Sequence, residues 1–214
     1  MKIILAKFYN IMEKYSKDIK HRYSRYGYYF KIENFLNTLA LKPGKCLLIG
    51  DTKSGEGSTK DIITSMLPCG TTVLAPDYPE VDIQKMPYDD DSFDYVIADL
   101  VLEHVRNPWL GVEEVRRVLK PGGITILTSA LMVPIHGEPH DYWRFTFYGM
   151  EVLCENFSEI LCCDGTGSRG LLRELWINAK QRHTIEPNTK IARTATKYNK
   201  SQGFLIMVFI IAKK

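Results

Sequence analysis

Apolar positions along the chain follow two rhythms, a helical period and short unbroken runs. Ile4, Phe8, Ile11, Met12, Tyr15 and Ile19 recur at helical spacing with lysines between them, which predicts an amphipathic helix over residues 3–19. A tyrosine-rich stretch, Tyr23 to Phe30, leads into a second helix to about Leu41, and Lys42-Pro43-Gly44 breaks it. The rhythm then shifts. Lys45 to Gly50 reads as a short apolar strand, Ser58 to Leu67 as a helix opened by the capping-box-like Ser58-Thr59-Lys60-Asp61, and Thr71 to Pro76 as a second strand. Phe93 to Leu100 is apolar almost throughout, as a strand covered on both faces requires. Asn107-Pro108 supplies an N-cap and a first-position proline for a helix running to Leu119, and Gly122-Gly123 marks its stop. Ile124 to Ala130 is the next strand, Thr146 to Asn156 a helix, Glu159 to Cys163 a strand and Gly170 to Lys180 a helix. Residues 181–203 are polar without a clear period, and Phe204 to Ala212 makes the last strand.

Strands alternating with helices predict an α/β fold with right-handed crossovers. The expected architecture is a doubly wound, Rossmann-like, mostly parallel seven-stranded sheet with an antiparallel last strand, plus N-terminal helices. Residues 1–44 form a helical cover and residues 45–214 the ligand-binding domain. In sheets of this kind the loops at the carboxyl ends of the strands hold the ligand.

Charge changes this picture more than composition does. The net charge of +3 conceals ten Lys/Arg against three acids in residues 1–45, eight against twenty in 46–165, and ten against two in 166–214. An acidic centre suits a cationic or hydroxyl-rich ligand, and basic flanks suit an anionic partner or the centre itself. The basic first helix also permits weak contact with a membrane surface. No nucleic-acid partner is expected, since the basic tail carries no aromatic interleaving or RNA-binding signature. No apolar run reaches the roughly 18 residues of a membrane span. Five cysteines without zinc-like spacing, and no secretory pattern, predict reduced thiols in a cytoplasmic protein.

The first strand ends in Gly50-Asp51-Thr52-Lys53-Ser54-Gly55-Glu56-Gly57. Glycines here let a ligand approach the backbone at a helix N-terminus. A phosphate-cradling loop would need Gly-Lys-Ser/Thr where Gly55-Glu56 stands, and the dinucleotide fingerprint Gly-x-Gly-x-x-Gly does not match. A nucleoside ligand without phosphates tolerates both failures.

Further along come the Asp82–Pro87 turn, the acidic Tyr88-Asp89-Asp90-Asp91-Ser92-Phe93-Asp94, then Leu102-Glu103-His104-Val105 and Arg117-Val118-Leu119-Lys120-Pro121-Gly122-Gly123. With the glycine loop, this order resembles the class I S-adenosylmethionine-dependent methyltransferases of the broad type 11 group, over roughly residues 45–130. The segment from His136 to Thr146 resembles a subgroup of bacterial methyltransferases, some of which tailor glycans or small molecules. The resemblance implies S-adenosylmethionine as cofactor. It implies that Gly50, Asp51, Gly55 and Gly57 line the methionine moiety, and that Asp77 binds the ribose hydroxyls. Asp82 would accept the adenine amino group, Ile83 would give a backbone contact, and Asp99 and Leu100 would lie beneath the methyl donor. Two departures stand out: Leu48, where the family carries an acidic residue, and Asp51-Thr52-Lys53 in place of a tight Gly-x-Gly.

Methyl transfer from a sulfonium needs in-line placement, and a base where the nucleophile holds a proton. His140, then His136, are the candidate bases because imidazole titrates near neutrality, with Asp141 beside them. Tyr142, Trp143 and Arg144 are candidate acceptor-binding residues, Arg144 as a clamp for carboxylate or phosphate or else as a structural fork pairing a loop carbonyl or an acid. No metal site is expected, because His136 and His140 lack an evident complete ligand set. The expected activity is methyl transfer to a hydroxyl, amine or carboxylate of a small molecule or glycan. A cofactor-binding partner protein that has lost catalysis is the alternative, and a nicotinamide-dependent oxidoreductase is disfavoured by the missing fingerprint. Oligomeric state has no signature in the sequence.

Overall fold

The computed structural model describes residues 23–50, 59–76, 79–136, 140–167 and 205–214. The expected helices at 3–19 and 170–180, the aperiodic segment 181–203 and the membrane-contact reading of the first helix lie outside them. Six strands form one sheet among the described residues: β1 (Lys45–Gly50), β2 (Thr72–Leu74), β3 (Phe93–Asp99), β4 (Leu119–Ala130), β5 (Glu159–Thr166) and β6 (Met207–Lys213), in the order β2-β1-β3-β4-β6-β5. The first four run parallel, and β6 lies antiparallel between β4 and β5. The mostly parallel sheet and the antiparallel last strand are as expected; a seventh strand is not among the described residues.

Strict alternation along the central strands divides the core in two. Leu47, Ile49, Val96 and Ala98 face one cluster, which helices α3 (Pro108–Val118) and α4 (Phe147–Leu153) cover. Cys46, Leu48, Tyr95 and Ile97 face the other, beneath α1 (Tyr23–Leu36) and α2 (Thr59–Met66). Leu48 is fully buried in that second core. Burial of β3 on both faces is why it shows no polar alternation.

Element ends differ from the expectation for local reasons. Helix α1 stops at Leu36, where the Thr38 hydroxyl donates to the Phe35 carbonyl and a tighter turn replaces the next helical one. Helix α3 stops at Val118, ahead of the glycines: Leu119 is already extended at φ −72°, ψ 139° and pairs with Phe93, and Pro121 disfavours helix at Lys120. Strand β4 therefore begins five residues before Ile124.

The start of α3 is well specified. Asn107 Oδ1 accepts the Leu110 N–H at 3.2 Å and Pro108 occupies the first turn. Asn107→Ala is expected to lower stability by about 1 kcal/mol, the usual cost of such a cap, read as a lower urea midpoint at unchanged slope. Cys46 and Cys154 are free thiols whose pKa burial pushes up to about 12, which makes them inert. No helix among the described residues is long and apolar enough to cross a membrane.

Candidate functional site

The strand order reverses direction at β1, whose two neighbours are β2 and β3, so the carboxyl ends of β1 and β3 border the crevice where such sheets bind ligands. Gly50 closes β1 opposite Asp99, at φ +140°, and a Cβ built on it would lie 2.5 Å from the Asp99 carbonyl oxygen. Leu100 leaves β3 at φ +54°, its N–H donating to Thr128 Oγ1 at 3.0 Å. A non-glycine residue in this left-handed region is a strained turn that its surroundings must hold.

The Asp99 side chain turns inward. Its carboxylate accepts from Tyr28 (2.9 Å), Tyr29 (2.7 Å) and Thr128 (2.8 Å), and the residue is 1% exposed. Helix α1 is thus tied to the switch point by two tyrosine hydroxyls. Between Tyr29, Ile63, Asp99 and Thr128 lies a cavity of about 10 Å³, one water's worth of room.

The Asp82 turn lies on the other side of the sheet. Asp82 is exposed, and its Oδ1 accepts the Gln84 N–H at 2.9 Å while the Gln84 amide also reaches the carboxylate. Gln84 Oε1 in turn accepts the Asn107 N–H at 3.1 Å, which fastens the turn to the start of α3. Ile83 is buried and packs where Gly111 leaves α3 bare, 3.4 Å from the Cβ that any larger residue would carry. Arg117 secures the segment that follows: it donates to the Met86 and Tyr88 carbonyls, to Asp90, and to Glu114, which accepts the Met86 N–H. Arg117 holds the Glu114 carboxyl below its usual range.

The segment after β4 carries the candidate catalytic groups. Asp141 has a side chain only 1% exposed, pairs with Arg144 and accepts the His136 N–H at 2.9 Å. Arg144 pulls the Asp141 pKa down to about 2. Arg144 also donates to the Trp143 carbonyl, so its guanidinium is engaged within its own loop. Trp143 donates its indole N–H to the Val105 carbonyl and meets Trp109 edge-on at 5.4 Å. His140 and Tyr142 are exposed, their rings 5.4 Å apart. The His140 carbonyl accepts from His104 Nδ1 at 2.5 Å, and His136 lies edge-on to His104 at 5.0 Å.

The structure therefore brings His136, His140 and Asp141 together, places Asp82 and Ile83 on a rigid turn, and sets Gly50, Asp99 and Leu100 at the switch point. Asp51, Gly55, Gly57 and Asp77 lie outside the described residues. Sequence reasoning did not anticipate Glu103 as a fully buried acid: its Oε2 accepts from Ser129 at 3.0 Å, its Oε1 has no partner, and burial pushes its carboxyl pKa up, with Asp99 adding to the effect. Nor did it find the Tyr28–Tyr29–Asp99 tie, since only the fold brings residues some seventy positions apart into contact.

Comparison with known proteins points one way. A methyltransferase-domain family profile matches residues 60–127, spanning the Asp82 turn, β3, α3 and most of β4. A demethylmenaquinone methyltransferase from Lysinibacillus sphaericus is 30% identical over 113 residues, 50% of this chain and 47% of that protein. One from Clavibacter sepedonicus is 37% identical over 79 residues, 35% and 32% of the two chains. The chain thus spans half or less of the length of these curated relatives. Phosphoethanolamine N-methyltransferase 2 of Haemonchus contortus, solved with S-adenosyl-L-methionine, shares the fold at a TM-score of 0.55 and 15% identity, over 86% of this chain and 52% of that one. With this sheet order, this switch point and the matched segment between them, the chain is similar in fold and in its central segment to the S-adenosylmethionine-dependent methyltransferases.

Proposed function

We propose that this chain binds S-adenosylmethionine at the carboxyl edge of β1 to β3 and transfers its methyl group to a hydroxyl, amine or carboxylate of a small molecule or glycan. The observation that carries the reading is the Asp82 turn: an exposed carboxylate, fixed by Gln84 and fastened through it to the start of α3. That donor set fits an adenosyl group, which needs a fixed acceptor for its exocyclic amine and a backbone it can approach closely. When bound, the cofactor supplies an electrophilic methyl on a sulfonium, and the protein has no covalent chemistry to add.

In this reading Asp82 accepts from the adenine amine and Ile83 gives a backbone contact. Gly50, Asp51, Gly55 and Gly57 line the methionine moiety, and Asp77 takes the ribose. Asp99 and Leu100 shape the floor, the carboxylate acting through its hold on α1. His140 is exposed at the loop after β4 and is the first candidate to take a proton from the acceptor, with His136 second. Asp141, ionised and paired with Arg144, holds the His136 backbone and orients the loop. Tyr142 lies at the solvent edge of this loop as an acceptor wall, with Trp143 and Arg144 behind it.

The test is calorimetry with S-adenosylmethionine and S-adenosylhomocysteine, followed by turnover on a panel of acceptors that includes demethylmenaquinone, the class named in the relatives. Asp82→Ala is expected to weaken S-adenosylhomocysteine by about 1.5–3 kcal/mol, the usual worth of a hydrogen bond to a charged group. Unchanged affinity removes Asp82 from the site. Tight binding with no turnover on any acceptor favours the non-catalytic partner reading instead.

A further inference from the structure

We infer that Glu103, His104 and His136 form a binding site for one divalent transition-metal ion, of the zinc or cobalt type, beside the switch point. A carboxylate oxygen of Glu103, a ring nitrogen of His104 and one of His136 lie within 4.8 Å of one another. Small side-chain shifts bring three ligand atoms at that spacing to the roughly 2 Å bond lengths that imidazole and carboxylate make with zinc. Two imidazoles and one carboxylate are a donor set for zinc and its neighbours, whereas magnesium and calcium prefer all-oxygen shells.

Two further observations single this cluster out from chance neighbours. Glu103 is 0% exposed, and its Oε1 has no hydrogen-bond partner although Oε2 accepts from Ser129. A buried carboxylate oxygen left without a partner is costly, and a cation beside it removes the cost. The histidine tautomers are also set for metal. A carbonyl oxygen only accepts, so His104 Nδ1 donates to the His140 carbonyl at 2.5 Å and leaves Nε2 with its lone pair. His136 Nδ1 faces the Pro134 carbonyl and the Asp141 carboxylate, each at 3.3 Å, with the same result. Metal-binding histidines commonly have their second nitrogen fixed in this way by a carbonyl or carboxylate.

The three ligands come from two parts of the chain that the fold brings together. Glu103 and His104 sit on a single 3-10 turn, Leu102–His104, just past β3, and His136 lies in the loop after β4. Adjacent residues of β4 support the two centres: Thr128 donates to Asp99 and Ser129 to Glu103. His136 is half exposed, with a side-chain accessibility of 51%, so the ion has an open side toward solvent. Three protein ligands and an open side are the pattern of a site that takes an exogenous oxygen. Resting on the methyl-transfer reading, this favours an acceptor that presents a hydroxyl or carboxylate oxygen there.

The experiment uses the full chain, stripped with a chelator and titrated with Zn²⁺ by calorimetry and with Co²⁺ by its visible absorption. One ion per chain is expected, with His136→Ala and Glu103→Gln each weakening binding at least tenfold. The exposed His136 ring makes its variant safe for folding, and thermal melting of both variants checks this. No saturable binding, or binding that neither substitution weakens, overturns the site. S-adenosylhomocysteine titrated into the stripped chain is the separate arm: its binding without metal binding sinks the metal site alone, and the reverse sinks the methyl-transfer reading alone.

Discussion

Gly50→Ala is expected to lower stability by about 3 kcal/mol or more and to abolish binding of S-adenosylhomocysteine. Two independent penalties act at this residue. A φ of +140° lies where side chains are rarely found, and holding one there costs of order 1–3 kcal/mol. The added Cβ also meets the Asp99 carbonyl oxygen at 2.5 Å, and that atom belongs to a strand backbone in register with β1, not to a side chain that can swing aside. Relief requires β1 and β3 to separate at the edge where the ligand is proposed to bind. Gly149→Ala is the control. It lies in α4 with its nearest neighbour at 3.6 Å, so alanine fits and raises helix propensity by up to about 1 kcal/mol. Urea unfolding of the two variants compares them directly. Equal stability at Gly50 and Gly149 would show that the β1–β3 crossing yields easily and is no fixed feature of the site.

The apolar run from Tyr95 to Ala98 and the Asn107-Pro108 start were legible because each signal is local: a strand covered on both faces is apolar at its centre, and a cap must precede its helix. The end of α3 was not, because Gly122-Gly123 looked like the stop while pairing of Leu119 with Phe93 ends the helix earlier. Likewise the Asp82 turn showed in the sequence, but its anchoring by Gln84 to Asn107 did not, since that bond spans twenty-three residues. Glu103 shows the limit most clearly. In the chain it is one acid among many in an acidic centre; only burial beside Ser129 and two histidines gives it a distinct chemistry. Arg144 reads in the sequence either as a clamp or as a structural fork, and only the fold shows its guanidinium engaged by Asp141 and the Trp143 carbonyl.

Removing the acceptor that ties α1 to the sheet should be the second large effect: Asp99→Ala is expected to destabilise the chain by about 3–5 kcal/mol. The substitution takes the carboxylate away from three hydroxyl donors, those of Tyr28, Tyr29 and Thr128, which are 0%, 3% and 1% exposed. Bonds to a charged acceptor in such a place are worth more than neutral ones, and water has little room to replace them. Asp99→Asn keeps one acceptor oxygen and the shape, so its cost should be less than half as large. The diagnostic measurement is a double-mutant cycle with Tyr28→Phe and Tyr29→Phe together. If the tie is what fixes α1, Asp99→Ala costs markedly less in that background, and the coupling exceeds 1 kcal/mol. Amide exchange along α1 should then quicken in every variant that breaks the tie, while exchange in α3 on the opposite face stays as it was. Additive energies would mean that Ile32 and Leu36 hold the helix by apolar contact alone, and that the tyrosine hydroxyls answer to Asp99 for some purpose other than anchoring.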